Sequence, residues 1–147
     1  MPKLTVAIPN YNGGENLRRS IESCKTIQVP ENDYEILIVD NKSTDNSIDI
    51  VNEMKKKFTN IRIIQNEKNL GRIRNWNVSI EKAQGKYMIF LFSNDLINEK
   101  NNIHELLQNL DSDQTISICI SALLKKEKSI QYVKKAYFDK IIKFPSK

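Results

Sequence analysis

Four short clusters hold the side chains of this sequence that could do chemistry together. They are Pro9-Asn10-Tyr11-Asn12, Asp40-Asn41, the stretch Asn69 to Arg74 with Gly71 and Arg72 inside it, and Ser93-Asn94-Asp95. Between them they offer an aromatic ring, carboxylates, amides and guanidinium groups. That mix suits a nucleotide: a ring to stack on, an acceptor for a base N–H, cations for phosphate, and an acid for a metal that bridges phosphates. No cluster is specific alone; their order and position carry the weight.

Three of the clusters close an apolar run, and the fourth fills the loop after one. Leu4-Thr5-Val6-Ala7-Ile8 reads as a first strand, stopped by Pro9, and Glu35-Ile36-Leu37-Ile38-Val39 as a second, ending in Asp40. Ile61 to Ile64 is a third, and the loop from Gln65 to Gly71 follows it. Gly85 to Phe92 contains a fourth, apolar on both faces, which suits a central strand of a parallel sheet. Helices are expected between them. Leu17, Ile21, Cys24 and Ile27 recur at helical spacing, then Ile48, Val51, Met54 and Phe58, then Ile73, Trp76, Ile80 and Ala83. Ser43 or Thr44 is placed to cap the second helix, and Gly85 to stop the third. Strand and helix in alternation predict an α/β fold with a mostly parallel central sheet flanked by helices. In such sheets ligands bind outside the carboxyl ends of the strands, where all four clusters would then lie. After Asp95 the pattern changes. Ile103, Leu106, Leu107 and Leu110 mark another helix, and Thr115–Leu124 with Ser129–Val133 read as a C-terminal β-hairpin. Tyr137 to Phe144 suits a short helix or a strand equally.

The length of 147 residues predicts one domain over residues 1–147. No apolar run is long enough to cross a bilayer, and the N-terminus lacks the apolar stretch of a signal peptide, so the expected location is cytoplasmic. Cys24 and Cys119 are too far apart in sequence to form a metal-type or redox-type pair, and both fall in apolar patterns. The net charge of +5 reads first as solvated lysine. It also leaves room for an anionic partner, a phosphorylated small molecule or the inner face of a membrane touched peripherally. Basic residues are not interleaved with aromatics, which argues against nucleic acid. There is no dinucleotide fingerprint, no phosphate loop of the Walker type and no nucleophile elbow. His104, the one histidine, has no triad or zinc partners.

Each cluster also has a structural reading. Asp40 could equally cap its own loop, and Asp95 could cap the helix that follows. Arg72 and Arg74 suit a solvated helix face, and Trp76 at helical spacing suits a core. Tyr11 in a Gly-rich loop is harder to place in a core, which favours ligand contact.

Taken in order, Val6 to Asn12, Ile36 to Asp45 (I-L-I-V-D-N-K-S-T-D), Asn69-Leu70-Gly71 to Arg74-Asn75, and Ala83-Gln84-Gly85-Lys86-Tyr87 to Asp95 resemble the nucleotide-sugar-binding half of family 2 glycosyltransferases. The resemblance covers roughly residues 3–125. It implies a Rossmann-like sheet of the GT-A type. By position it implies that Pro9 and Tyr11 hold the nucleobase and ribose, and that Asp40 accepts from the base. It likewise implies that Arg74 and Asn75 lie near the diphosphate and sugar. Ser93-Asn94-Asp95 matches the motif that binds Mg²⁺ or Mn²⁺ on the donor diphosphate. There Asn94 stands where the family usually has a second acid, which leaves Asp95 as metal ligand. The implied partners are a nucleotide-diphospho-sugar donor and a glycan or lipid-linked acceptor.

The expected activity is inverting, metal-dependent transfer of the sugar to an acceptor hydroxyl, in polysaccharide or glycoconjugate synthesis. The family's acceptor half, with its catalytic base, is expected to be missing or truncated; Glu127 and Asp139 do not sit in a matching context. An apolar surface left by a missing half would favour a homodimer. The rival expectation is a nucleotide-sugar-binding module without transferase activity. A nucleotidyltransferase would need a longer Gly-rich loop than Asn12-Gly13-Gly14.

Overall fold

The computed structural model describes residues 1–98 and 103–112. The chain divides into two compact units, Met1–Ile103 and His104–Lys147. The expected C-terminal hairpin, Cys119 and the segment Tyr137 to Phe144 lie outside the described residues.

The first unit is built on four parallel strands. β1 spans Leu4–Asn10, β2 Tyr34–Asp40, β3 Ile61–Gln65 and β4 Tyr87–Phe90, in the spatial order β3-β2-β1-β4. All seven residues of β1 and all seven of β2 are buried. A parallel strand covered on both faces has no solvent side, which is why these runs show no alternation. The register pairs Asn10 with Asp40 and Asp40 with Gln65, so the strand ends fall side by side.

Three helices connect the strands: α1 (Gly14–Ser23), α2 (Ser47–Met54) and α3 (Arg72–Lys82). α1 buries Leu17, Ser20 and Ile21 and packs on α2, which buries Ile50, Val51 and Met54. Arg18 pins the pair, reaching Glu53 on α2 at 2.7 Å and Glu15 on its own helix at 3.1 Å. α3 packs against β1 and β2. A fourth helix, α4 (Ile103–Ser112), buries Ile103, Leu107 and Leu110, and carries His104 exposed against Gln108.

Three details differ from the sequence reading. Pro9 does not stop β1. Pairing between β1 and β4 ends at Ala7 and Phe90, and the Leu91 N–H closes onto the Ala7 carbonyl at 2.9 Å. Backbone polar groups alternate sides along a strand, so Pro9 lacks its N–H where no strand is left to receive it. Among the described residues β4 is one of the two edge strands, half-buried, with Phe90 37% exposed. Its aromatic residues cluster locally instead, Phe90 and Phe92 stacking at 5.9 Å and Trp76 tilting against Phe92 at 5.2 Å. α3 does not bury its apolar stripe. Ile73 and Ile80 are exposed, and Asn75 and Ser79 face inward. α2 starts at Ser47, with its N–H received by Asp45, while Ser43 serves the loop before it.

Gly85 acts through close approach rather than as a helix stop. A Cβ there would strike the Thr5 backbone, and its N–H donates to Thr5 Oγ1 at 2.8 Å. Buried Glu35 completes this corner. It accepts from Thr5 Oγ1 at 2.6 Å, the Gln84 N–H at 2.7 Å and Arg62 Nε at 3.0 Å.

Candidate functional site

At the carboxyl edge of the sheet the loops after β1 and β2 are stitched into one surface. Asn12 N–H donates to Ser43 Oγ at 2.9 Å, and Thr44 N–H donates back to Asn12 Oδ1 at 2.8 Å. The Asn41 N–H donates to the Asn10 carbonyl at 2.8 Å. Asn12 and Lys42 hold positive φ within these turns, at 53° and 64°. Gly13 leaves room for the Asn10 side chain, which a Cβ would strike.

Asp40 is the hub of this stitching. It is 0% exposed. One carboxylate oxygen accepts from Asn10 Nδ2 at 2.9 Å and from the Ser43 hydroxyl. The other accepts from the Ser43 N–H at 3.0 Å and Gln65 Nε2 at 3.3 Å. Of the two sequence readings for Asp40, its geometry here is that of the loop cap.

Beside this hub opens a cavity of about 650 Å³ within the first unit. Its walls come from the end of β1, the loop before α3, the first turns of α3, and the residues after β4. Pro9, Tyr11, Asn75, Asn94 and Asp95 all line it, so five of the seven expected site residues meet in one place. Tyr11 stands at the rim, 50% exposed. Asn75 shows the cavity only an edge. It is 3% exposed, with Nδ2 on the Val39 carbonyl at 3.0 Å and Oδ1 accepting from Asn66 at 2.8 Å. Asp40 and Arg74 are not among the lining residues, and Arg74 is exposed.

The cationic wall is Arg72 instead, with its guanidinium 5.6 Å from the ring centroid of Trp76. Both residues read from the sequence as surface and core. The signal available was their one-turn spacing on the helix that leaves the third cluster.

Asp95 is the one carboxylate among the lining residues. No hydrogen bond or ion pair engages its side chain among the described residues. The loop is held through the backbone. Ser20 on α1 donates to the Asp95 carbonyl at 2.7 Å and is 3.3 Å from that of Phe92, and the Asp95 N–H donates to the Phe92 carbonyl at 2.8 Å. Sequence reasoning missed Ser20, because a serine on a helix carries no mark of what it reaches.

No group of three His, Cys, Asp or Glu side chains able to hold an ion occurs among the described residues. That does not suit a metal held by protein alone. It does suit Mg²⁺ or Mn²⁺ carried in on phosphate oxygens, which needs one or two carboxylates from the protein. Asp95 is the one carboxylate on the cavity wall, next in sequence to Ser93 and Asn94.

Comparison with known proteins decides the family. The profile for glycosyl transferase family 2 matches residues 5–145. The chain belongs to glycosyl transferase family 2. Within the family it is 38% identical over 96 residues to a poly(ribitol-phosphate) beta-glucosyltransferase of Bacillus spizizenii, covering 65% of this chain and 15% of that protein. It is 37% identical over 103 residues to the poly(ribitol-phosphate) beta-N-acetylglucosaminyltransferase TarP of Staphylococcus aureus, covering 68% and 31%. Among solved structures, S. aureus TarS 1–349 in complex with UDP-GlcNAc superposes with a TM-score of 0.68 at 28% identity, over 75% of this chain and 31% of that one. The mannosyltransferase PcManGT of Pyrobaculum calidifontis, solved with GDP-Man and Mn²⁺, shares the fold with a TM-score of 0.71 at 19% identity, over 79% and 34%. The chain thus spans less than half the length of these relatives.

No helix among the described residues is long and apolar enough to cross a membrane.

Proposed function

We propose that this chain is the donor-binding part of a glycosyltransferase that moves a sugar from a nucleotide-diphospho-sugar to an acceptor hydroxyl, with inversion and with a divalent metal. The observation that carries the reading is the cavity at the carboxyl edge of the parallel sheet. There an aromatic rim (Tyr11), a cationic wall (Arg72 on Trp76) and an open carboxylate (Asp95) face the same space. Its volume suits a ligand of nucleotide size. Relatives solved with UDP-GlcNAc and with GDP-Man support the choice of ligand class.

In this reading Pro9 and Tyr11 hold the base and ribose, while Asn75 and Arg72 face the diphosphate. Asp95, flanked by Ser93 and Asn94, holds Mg²⁺ or Mn²⁺. When bound, the cation neutralises the diphosphate charge that builds as the glycosidic bond breaks. Arg72 shares that task from the opposite wall. Asp40 contributes at one remove, by fixing the two loops that carry Asn10, Tyr11 and Asn41. No base is assigned to the cavity, because its one carboxylate is given to the metal. The cytoplasmic location, the lipid-linked or glycan acceptor, peripheral membrane contact and the homodimer belong to the same proposal. The names of the relatives put poly(ribitol-phosphate) first among acceptors to try.

Titration calorimetry of the full chain with UDP, UDP-GlcNAc and GDP-mannose, each with Mn²⁺, tests it. Binding of at least one is expected, weakened by chelation of the metal. No binding by any of them would sink the reading. A second reading has its own support in the single carboxylate and the short span against relatives: a module that binds the nucleotide sugar without transfer. Turnover of a bound donor by the isolated chain would eliminate it.

A further inference from the structure

Four amides form a chain at the end of β2. Asn41 is 3% exposed, and its side chain works in both directions. Its Oδ1 accepts from the Leu70 N–H at 2.8 Å and from Asn66 Nδ2 at 3.1 Å. Its Nδ2 donates to Asn69 Oδ1 at 2.8 Å, and that same oxygen accepts from the Gly71 N–H at 2.8 Å. Asn66 Nδ2 also reaches Asn75 Oδ1 at 2.8 Å. These bonds converge on the turn that Gly71 makes at φ +80°, a conformation that a side chain would resist. α3 begins at the next residue, and its first turns put Arg72 and Trp76 into the cavity wall.

We propose that Asn41 is a positioning residue for the donor cavity: its amide sets the Leu70–Gly71 turn, and through it Arg72 and Trp76. The proposal rests on the donor reading given above. The chemistry calls for an amide at position 41 and not a carboxylate. Asn41 must donate so that Asn69 can keep its oxygen turned toward both Asn41 and Gly71. An aspartate of the same shape could only accept. Asn69 would then turn its NH₂ toward position 41 and withdraw its oxygen from the Gly71 N–H. Asn69 has no such demand, because this relay uses only its oxygen, and an aspartate at 69 would accept the same two bonds.

That asymmetry supplies the experiment. Asn41→Asp and Asn69→Asp each add one negative charge to the same loop, and only the first breaks the relay. The full chain is titrated with UDP and Mn²⁺, and the Gly71 amide is followed by ¹⁵N–¹H spectroscopy, which needs no ligand. For Asn41→Asp the expected result, read at a temperature where the chain remains folded, is a shifted, faster-exchanging Gly71 amide and binding weaker by about tenfold. Asn69 lines the same cavity wall as Asn41, so Asn69→Asp measures the cost of the added charge alone; it is expected to keep the Gly71 signal and to bind several-fold more tightly than Asn41→Asp. Equal weakening in both variants would show that charge and not direction matters, and would overturn the proposal. So would an Asn41→Asp chain with an unmoved Gly71 signal and unchanged affinity. A wild-type chain that binds no nucleotide removes the donor reading and this role with it. That failure differs from one in which wild type binds and both variants match it.

Discussion

Two aspartates lie at the same edge of the sheet, Asp40 as the last residue of β2 and Asp95 in the loop after β4, and their surroundings are opposite. Asp40 has no exposed surface, and both its oxygens are taken by Asn10, Ser43 and Gln65. Asp95 lies in a loop tied down by main-chain carbonyls; it lines the cavity, and no hydrogen bond or ion pair engages its side chain among the described residues. A carboxylate surrounded by donors is a structural element, since every bond it makes is with its own chain. One left facing a cavity with no partner has its capacity in reserve for a ligand. Position at a strand end therefore says where an acid sits, and the neighbouring donors say what it is for.

The contrast can be broken or sharpened by experiment. Asp40→Ala strands several buried donors, and a loss of about 3 kcal/mol is expected. Calorimetric melting should show a fall in Tm of roughly 10 °C, and a chain melting within a degree or two of wild type would erase the distinction. Asp95→Ala should do the reverse. Its Tm stays within about 1 °C, while Mn²⁺-dependent UDP binding weakens by tenfold or more, on the order of a lost charge-assisted contact. If chelator and Asp95→Ala weaken binding independently, the acid is not the metal's ligand. The same contrast should hold among the cations. Arg72→Ala is expected to weaken UDP binding by about fivefold, against less than about twofold for Arg74→Ala. Reversed ranks would return the diphosphate to Arg74.

A last contrast separates both aspartates from the alkaline limb of stability. Burial pushes the Cys24 thiol up from 9.0 to about 12, and raises Tyr34 from 10.0. A raised acid is neutral in the folded chain while its unfolded counterpart ionises. The stabilisation is therefore whole below about pH 9 and is lost as pH rises toward 12, at up to about 1.4 kcal/mol per pH unit for one group. Cys24→Ala should flatten that limb in pH-dependent melting, and neither aspartate substitution should move it.

Much of this was legible in the sequence. Apolar runs ending in polar clusters gave the four strands and the edge on which Pro9, Tyr11, Asn75, Asn94 and Asp95 meet, because period and punctuation are local properties. What was not legible depends on partners distant in the chain. Asp40 needs Gln65 and Asn10 to be read as filled. Trp76 was hidden because helical spacing names a stripe without saying which stripe faces inward. On α3 the buried stripe is Asn75 and Ser79, whose polar groups are satisfied by the Val39 and Asn75 carbonyls.

Ser20 carries a last consequence. It grips the Phe92–Asp95 loop by carbonyl oxygens, a feature that every amino acid possesses. These bonds ask nothing of the side chains at positions 93 to 95. Positions 93 to 95 behave as a socket whose contacts can be exchanged by single codon changes without refolding its frame. In the donor reading proposed above, an acid at position 94 would add a second carboxylate to the cavity wall by one substitution.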